Sequence, residues 1–291
     1  MADFKIFTDS TCDIHPDMLK EWGVTYFPLT FYFTDDEAVQ YNDTGMDSKE
    51  FFDNLRKGRT ARTAGTNIEV IKGCFRKALL EGSDILYIGF SSALSSTYQS
   101  ACLAAEELIK EFPERDIRCV DSLCESTGEG MLIRLCCDKR DAGASLTDTE
   151  KFAVENRAMI HHWFTVDDMG CLLRGGRVSK AAALAATVLN IKPLLASDSE
   201  GRLYLVDKVR GRKKSIAALF NKYAELAEDP GRTRIYICHA DCADDVSYLE
   251  SLFKDKYGLS ADIIVPVGSV IGSHTGPGTI GLFFVGKESK K

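Results

Sequence analysis

Short apolar runs alternate with helical patterns along the first half of the chain. Ile85 to Phe90 is almost wholly apolar, and apolar residues then recur at three- and four-residue steps from Tyr98 to Ala105. The first pattern is typical of a strand buried on both faces, and the second indicates an amphipathic helix. Because similar pairs continue to about residue 140, we predict an α/β fold that begins with a doubly wound parallel sheet.

The pattern changes near His161. Leu203 to Val209 alternates apolar and polar residues and leads into a basic stretch, and residues 267–281 are rich in glycine. We predict two α/β domains, residues 1–160 with the parallel sheet and residues 161–291 with a mixed sheet. Within the first domain, Val24 to Phe33 carries many β-branched and aromatic residues and is predicted as one strand.

A polar loop joins the apolar run at 85–90 to the helix that follows it. It carries these hydroxyl side chains: Ser91, Ser92, Ser95, Ser96 and Thr97. The helix start adds backbone N–H groups and the positive end of the helix dipole, and ligands of open α/β sheets gather at this edge. The loop is therefore expected to bind a small anion, a carboxylate or a phosphate. Plain helix caps are the alternative, since Ser and Thr are favoured at any helix start.

Two further polar loops precede predicted helices. Asp9 and Asp13 lie four residues apart after the first strand, whereas a phosphatase-type loop has its aspartates two apart. Loop and cap hydrogen bonds beside a ligand cleft are therefore the better interpretation. Thr63, Thr66 and Asn67 precede the helix predicted at 68–80, where Thr66 or Asn67 also fits a plain cap.

Composition narrows the class of protein. A net charge of −7 over 291 residues argues against non-specific binding to nucleic acid or acidic membranes. No apolar run approaches the roughly 18 residues of a membrane span, and the first residues do not lead us to expect a secretion signal. The ten cysteines lie mostly in apolar runs, which indicates a reducing cytoplasm. Cys238 to Cys242 lacks a second ligand pair at zinc spacing, so we expect neither a metal nor a cofactor.

The chain resembles the DegV family over essentially its whole length. The resemblance rests on the order and spacing of TDSTCDI, SSALSSTYQSA, VDS, VDDMGCLLRGGRVS, NIKPLL, KVRGRKK and GSHTGPGTIG. It implies two α/β domains with a lipid tunnel at their interface. It also implies a protein without catalytic residues that binds one long-chain fatty acid, with the carboxylate held by hydroxyls and the acyl chain buried. A separate fatty-acid kinase would then phosphorylate the bound acid.

The resemblance also assigns residues. Thr63 matches the threonine that opens the family's TSQPS motif, and Ser95 matches the serine of its LSGTYQSA motif. Both would bind the fatty-acid carboxylate, together with Ser92, Ser96 and His274. Arginines fall in segments that relatives use near the head group or to dock the kinase: Arg174, Arg177 and Arg210.

This chain departs from the family motifs in two places. Thr63 is followed by AGTN rather than SQPS, and Ser96 replaces a glycine. The backbone path of the first loop and the acyl-chain preference are therefore not determined by the resemblance. Ala181 to Leu189 is a small-residue helix pattern that fits either a tunnel wall or a tightly packed core helix.

A phosphoryl-transfer or hydrolytic enzyme acting on a small anionic metabolite is the alternative. The three arginines would then bind phosphate, although LRGGRVSK lacks the GxxxxGK[ST] spacing of a P-loop. A hydrolase would need a histidine beside Ser95 or Thr63, and His274 is the candidate. Dependence on a long acyl chain distinguishes a carrier from either enzyme.

Overall fold

The structure is a computed structural model that describes residues 4–167, 169–179 and 190–290. The strands are β1 Phe4–Asp9, β2 Val24–Phe27, β3 Thr30–Phe33, β4 Tyr41–Asn42, β5 Ala61–Ala64, β6 Asp84–Gly89, β7 Ile117–Asp121, β8 Ile160–Thr165, β9 Ile191–Ser197, β10 Leu203–Arg210, β11 Tyr236–His239, β12 Ile263–Pro266 and β13 Ile280–Val285. The helices are α1 Pro16–Glu21, α2 Ser48–Arg56, α3 Ile68–Leu80, α4 Thr97–Glu111, α5 Thr127–Asp141, α6 Leu146–Asn156, α7 Gly170–Gly175, α8 Arg212–Leu226, α9 Ala243–Tyr257 and α10 Ser269–Thr275. Within the described ranges, no helix is long and apolar enough to cross a lipid bilayer.

A parallel sheet in the order β2-β1-β6-β7 forms the centre of the first half. The strand order runs one way from β1 to β2 and the other way from β1 to β6 and β7, which is the doubly wound arrangement. β1 and β6 are buried along almost their whole length, as expected for strands covered on both faces. The predicted α/β fold with a parallel first sheet is confirmed.

The prediction of a single strand from Val24 to Phe33 is wrong. The segment is divided into two strands: β2 pairs with β1, and β3 pairs antiparallel with β4 and β5 in a separate small sheet. Pro28 lies at the division and has no N–H to donate to a sheet. The next N–H, of Leu29, donates to Ser10 Oγ at 3.0 Å, so the chain leaves the first sheet there.

The second half contains a sheet in the order β10-β9-β8-β13-β11-β12. Neighbouring strands in it are antiparallel except β11 and β12, so the sheet is mixed. The strands of the parallel sheet all precede residue 122, and those of the mixed sheet begin at Ile160. A domain boundary near residue 160 fits this division and stays a prediction.

Aromatic side chains fill the core beneath the parallel sheet. Phe7 and Phe75 meet edge to face with ring centroids 5.2 Å apart, and Phe27 stacks on Tyr87 at 5.6 Å. Burying a large apolar side chain of this kind contributes about 1.5–3 kcal/mol. The Tyr87 hydroxyl donates to Asp9 Oδ2 at 2.8 Å, so this core also fixes the polar end of β1.

Two buried carboxylates from the first half hold the start of α10. Gly268 N donates to Asp13 Oδ1 at 2.9 Å, and Val270 N donates to Asp43 Oδ1 at 2.8 Å. Asp13 also accepts a hydrogen bond from the hydroxyl of Ser126. The first N–H groups of a helix have no partner within the helix, so these carboxylates satisfy donors that would otherwise be buried without an acceptor.

Burial raises the pKa of Asp43 to about 6, although its bond from the Val270 N–H acts in the opposite direction. A carboxyl whose pKa is higher in the folded state stabilises the fold at low pH. That contribution is lost as the pH rises through the folded pKa.

We therefore expect wild type to lose stability relative to Asp43→Asn between pH 4 and pH 7, because the asparagine cannot ionise. A rise in pKa from 3.8 to about 6 corresponds to about 3 kcal/mol at most. Urea unfolding of both proteins at the two pH values measures this change. A stability difference that stays constant with pH would contradict the assignment of the titration to Asp43.

Candidate functional site

A largely apolar cavity lies beside the carboxyl ends of β1 and β6, against α10. Its volume, taken as the space open to the centre of a water molecule, is about 150 Å³. Its apolar walls are formed by Leu29, Phe90, Leu94, Phe164, Leu172, Leu203, Val267, Val270, Ile271 and Phe283. The direction in which strands are added to the sheet reverses between β1 and β6. Open α/β sheets bind ligands at the carboxyl ends of the strands where this reversal occurs.

Polar side chains gather at the cavity wall where β5, the β6–α4 loop and α10 meet. Thr63 Oγ1 lies 3.0 Å from His274 Nε2, and Ser95 and Ser96 line the same cavity. The space beside Gly65 is bounded by Ser96, since a Cβ built on that glycine would lie 3.8 Å from Ser96 Oγ. Residues that lie far apart in the sequence therefore form one polar cluster.

The surrounding backbone positions these side chains. Thr63 lies on β5 opposite Phe31 of β3. Ser95 Oγ accepts a hydrogen bond from Thr97 N at 3.2 Å and lies 2.9 Å from Thr97 Oγ1, so it also stabilises the start of α4. Ser96 is the N-cap residue of α4 and makes no capping bond with its side chain. The cap and ligand interpretations of this loop are thus compatible.

His274 is an uncharged ring at neutral pH. Burial lowers its pKa to about 4, and the nearby charge of Arg177 acts in the same direction. Among the described residues, its Nδ1 has no hydrogen-bond partner. A Cβ on Gly175 would lie 2.3 Å from that Nδ1, so the ring depends on the absence of a side chain there.

Arg177 brings a positive charge to the cavity wall. Its Nε donates to Leu94 O at 3.0 Å, and its Nη1 donates to Gly175 O. The side chain is half-buried, and burial lowers its pKa. It therefore lies where it would partly offset the charge of an anion bound beside His274.

Ser92, which was predicted to bind the carboxylate, does not line the cavity. Neither do Arg174 and Arg210, which were predicted either near the head group or for docking a kinase. The backbone N–H of Ser92 donates to Asp121 Oδ1 at 3.1 Å, at the end of the neighbouring strand β7. Arg174 is exposed on α7 and donates to Cys171 Sγ at 3.1 Å, and Arg210 is exposed at the end of β10. The predicted helix Ala181 to Leu189 lies outside the described residues.

The cavity also contains polar residues that we did not predict from the sequence. Glu125 and Ser126, from the β7–α5 loop, line it together with Thr279. A polar loop that follows a parallel strand at this edge of the sheet is the signal that points to them. Across the part of the chain that the structure describes, no group of three or more His, Cys, Asp or Glu residues could hold a metal ion.

Comparison with known proteins gives the same match over the whole chain. Residues 3–287 match the family model described as "Uncharacterised protein, DegV family". A DegV domain-containing protein of Clostridium perfringens is 36% identical over 286 residues, covering 98% of each chain.

Solved structures agree. The chain matches a DegV family protein of Thermus thermophilus, described by its fatty-acid binding, with 30% identity and a TM-score of 0.87, covering 98% of this chain and 99% of the other. It also matches a DegV lipid-binding protein of Thermotoga maritima with 29% identity and a TM-score of 0.85 over the full length of both chains. The chain therefore belongs to the DegV family.

Proposed function

We propose that this protein binds one long-chain fatty acid in the cavity, with the carboxylate at the cluster of Thr63, Ser95, Ser96 and His274. The observation that carries the proposal is one largely apolar cavity with hydroxyl and imidazole groups at its wall. The fatty-acid binding described for the Thermus relative supports it.

The energetics fit an acid with a long tail. Burying the acyl chain contributes about 0.8 kcal/mol per CH₂, before the cost of ordering the ligand. Each hydrogen bond to the carboxylate contributes about 1.5–3 kcal/mol. The tail thus supplies most of the affinity, while the polar cluster determines which end of the ligand lies there.

The Thr63–His274 pair suggests how an anion is held. A neutral imidazole has one N–H, and a threonine hydroxyl both donates and accepts. If His274 donates from Nε2 to Thr63 Oγ1, the hydroxyl proton of Thr63 is left to donate to the ligand carboxylate. Ser95 and Ser96 add further hydroxyls, and Arg177 adds positive charge.

The enzyme alternative is less well supported. A general base needs a pKa near the working pH and a partner that orients its ring. His274 has a pKa of about 4, and its Nδ1 packs against Gly175 rather than against a carboxylate. We therefore propose a non-catalytic binding protein of the cytoplasm that needs no cofactor.

We further propose that the protein presents the bound acid to a separate fatty-acid kinase. Arg174 and Arg210 are exposed and do not line the cavity, which leaves them accessible to a partner. Their positive charge would favour docking of a partner surface that carries negative charge.

Mass spectrometry of the gently extracted protein tests the ligand. Wild type is expected to retain a long-chain fatty acid at about one per chain. Thr63→Val combined with Ser95→Ala should weaken binding by about tenfold or more, because it removes two hydroxyl donors. Equal affinity in a folded double variant would contradict the head-group assignment, and an empty wild type that also refuses added fatty acids would contradict the function.

Gly175→Ala should weaken fatty-acid binding by displacing the His274 ring, and should destabilise the fold by about 1–3 kcal/mol. Thermal unfolding and lipid titration measure both effects. Gly73→Ala is the matched control, since a Cβ there meets nothing within 4 Å and alanine is favoured inside a helix. If both glycine variants bind fatty acid like wild type, the ring position does not matter for binding.

Arg210→Ala should leave fatty-acid affinity unchanged but reduce phosphorylation of the bound acid by a fatty-acid kinase, because the partner loses a charged contact. Arg202→Ala, also exposed at the same sheet edge, is the control and should be phosphorylated normally. Loss of lipid uptake in Arg210→Ala would instead place Arg210 in the binding site.

A further inference from the structure

Two cysteines lie close together at the edge of the parallel sheet. Cys119 belongs to β7, the last strand in the order β2-β1-β6-β7, and Cys102 belongs to α4, which packs on β7. Neither is among the described residues that line the cavity. The pair is therefore separate from the proposed fatty-acid site.

The side chains of both cysteines face the space between α4 and β7. Side chains alternate along a strand, and Arg118 donates to Glu150 of α6 at 3.0 Å, so Cys119 faces the other side of the sheet. Tyr98 and Cys102 are four residues apart and share one face of α4. The Tyr98 hydroxyl donates to Cys119 O at 3.3 Å, so this helix face is the one that meets β7.

The two thiols are in contact. A hydrogen bond from the Cys119 thiol lowers the pKa of the Cys102 thiol, and a bond from the Tyr98 hydroxyl acts in the same direction, although partial burial opposes both. The same contact, together with burial, raises the pKa of Cys119. The pair thus combines a thiol that ionises readily with one that keeps its proton.

Other cysteines of the chain are in a different electrostatic environment. Burial raises the pKa of the Cys74 thiol and raises that of Cys242 to about 11. The thiolate, rather than the thiol, is the nucleophile. At neutral pH, Cys102 is therefore expected to react faster than either of them.

A small molecule can reach the pair. Both cysteines are partly exposed, and in the described sheet β7 has no strand on its outer side. An accessible thiolate with a second thiol beside it is the arrangement that peroxides oxidise selectively. In a reducing compartment, disulfides are usually transient and redox-sensing rather than structural.

We propose that Cys102 and Cys119 form a redox-active pair that a peroxide oxidises reversibly to a disulfide. The inference goes beyond fatty-acid binding and does not depend on it, because neither thiol belongs to the proposed binding site. Two sulfur atoms in hydrogen-bond contact need to approach by only about 2 Å to reach the S–S bond length of about 2.05 Å.

The oxidation takes two steps. The Cys102 thiolate attacks one oxygen of hydrogen peroxide, the O–O bond breaks, and hydroxide leaves while Cys102 becomes a sulfenic acid. The Cys119 sulfur then attacks the sulfenic sulfur, the S–O bond breaks, and the departing hydroxide takes the Cys119 proton to form water. In total two thiols are oxidised, one peroxide is reduced, and two molecules of water form.

Peptide mapping of the wild-type protein tests the pair directly. The folded protein is treated with hydrogen peroxide, the remaining thiols are blocked with N-ethylmaleimide, and the digest is analysed by mass spectrometry. We expect a linked peptide that joins Cys102 to Cys119 and disappears on reduction with dithiothreitol, at a peroxide dose that leaves Cys74 reduced. Absence of that peptide, or oxidation of Cys74 at the same rate as Cys102, would overturn the inference.

Variants then assign the two roles. In Cys119→Ser, Cys102 should still be oxidised but stop at the sulfenic acid, which dimedone traps. In Cys102→Ser, Cys119 should resist the same dose, because its thiol keeps its proton. Equal oxidation of the remaining thiol in these two variants would show that Cys102 is not the attacking group.

Cys74→Ser is the matched control, since it removes another partly exposed cysteine that lies outside the pair. It should form the same disulfide as wild type, at the same rate. A link from Cys102 to any cysteine other than Cys119, in wild type or in this control, would overturn the assignment of the partner.

Discussion

The position of α10 depends on two buried carboxylates from the opposite half of the chain. Asp13 and Asp43 accept the N–H groups at the start of this helix, at 2.9 Å and 2.8 Å. Without them those donors would be buried and unsatisfied, which typically costs about 1–3 kcal/mol each. Since α10 carries Ile271 and His274 into the cavity, the same bonds that join the two halves also define the proposed binding site.

The need to bind a carboxylate in a largely apolar cavity explains why the polar cluster contains neutral groups. Bringing a carboxylate into a largely apolar cavity costs solvation free energy, which donors must replace. Hydroxyls and an uncharged imidazole supply hydrogen bonds to the carboxylate without adding negative charge of their own. Arg177 lies half-buried on the same wall and offsets part of the ligand charge. The proposed site thus holds an anion by directed hydrogen bonds, with one charge contributing nearby.

The sequence predicted the first sheet because apolar strands buried on both faces differ clearly from the amphipathic helices between them. A resemblance, rather than local patterns, predicted that Thr63, Ser92, Ser95, Ser96 and His274 bind one carboxylate. This assignment stays a prediction, although all of them except Ser92 line the cavity. The break at Pro28 was missed because the residues on both sides suit a strand equally well. α10 was missed because its segment, SVIGSHT, sits in a glycine-rich stretch with weak helical periodicity.

Side-chain direction was harder to predict than position in the fold. Five hydroxyls stand in the loop after β6, yet Ser95 and Ser96 line the cavity whereas Ser92 does not. Hydroxyl density along a loop does not determine which of its side chains face a ligand, because the turns of the backbone decide it. Glu125 was missed as a cavity-lining residue for the same reason. The path of its loop includes positive φ angles at Leu123 and Ser126, which are not predictable from these residue types.

Affinity for an acyl chain and selectivity between ligands have different physical origins. The free energy gained by burying an acyl chain is non-directional and roughly proportional to the apolar area removed from water. It therefore gives affinity without distinguishing one chemical group on the chain from another. Selectivity must therefore come from a few polar positions in the wall. The chain keeps a TM-score of 0.87 to the Thermus relative at 30% identity, so much of the sequence differs on one fold. Differences at wall positions that do not join the two halves would therefore alter the preferred ligand without altering the architecture.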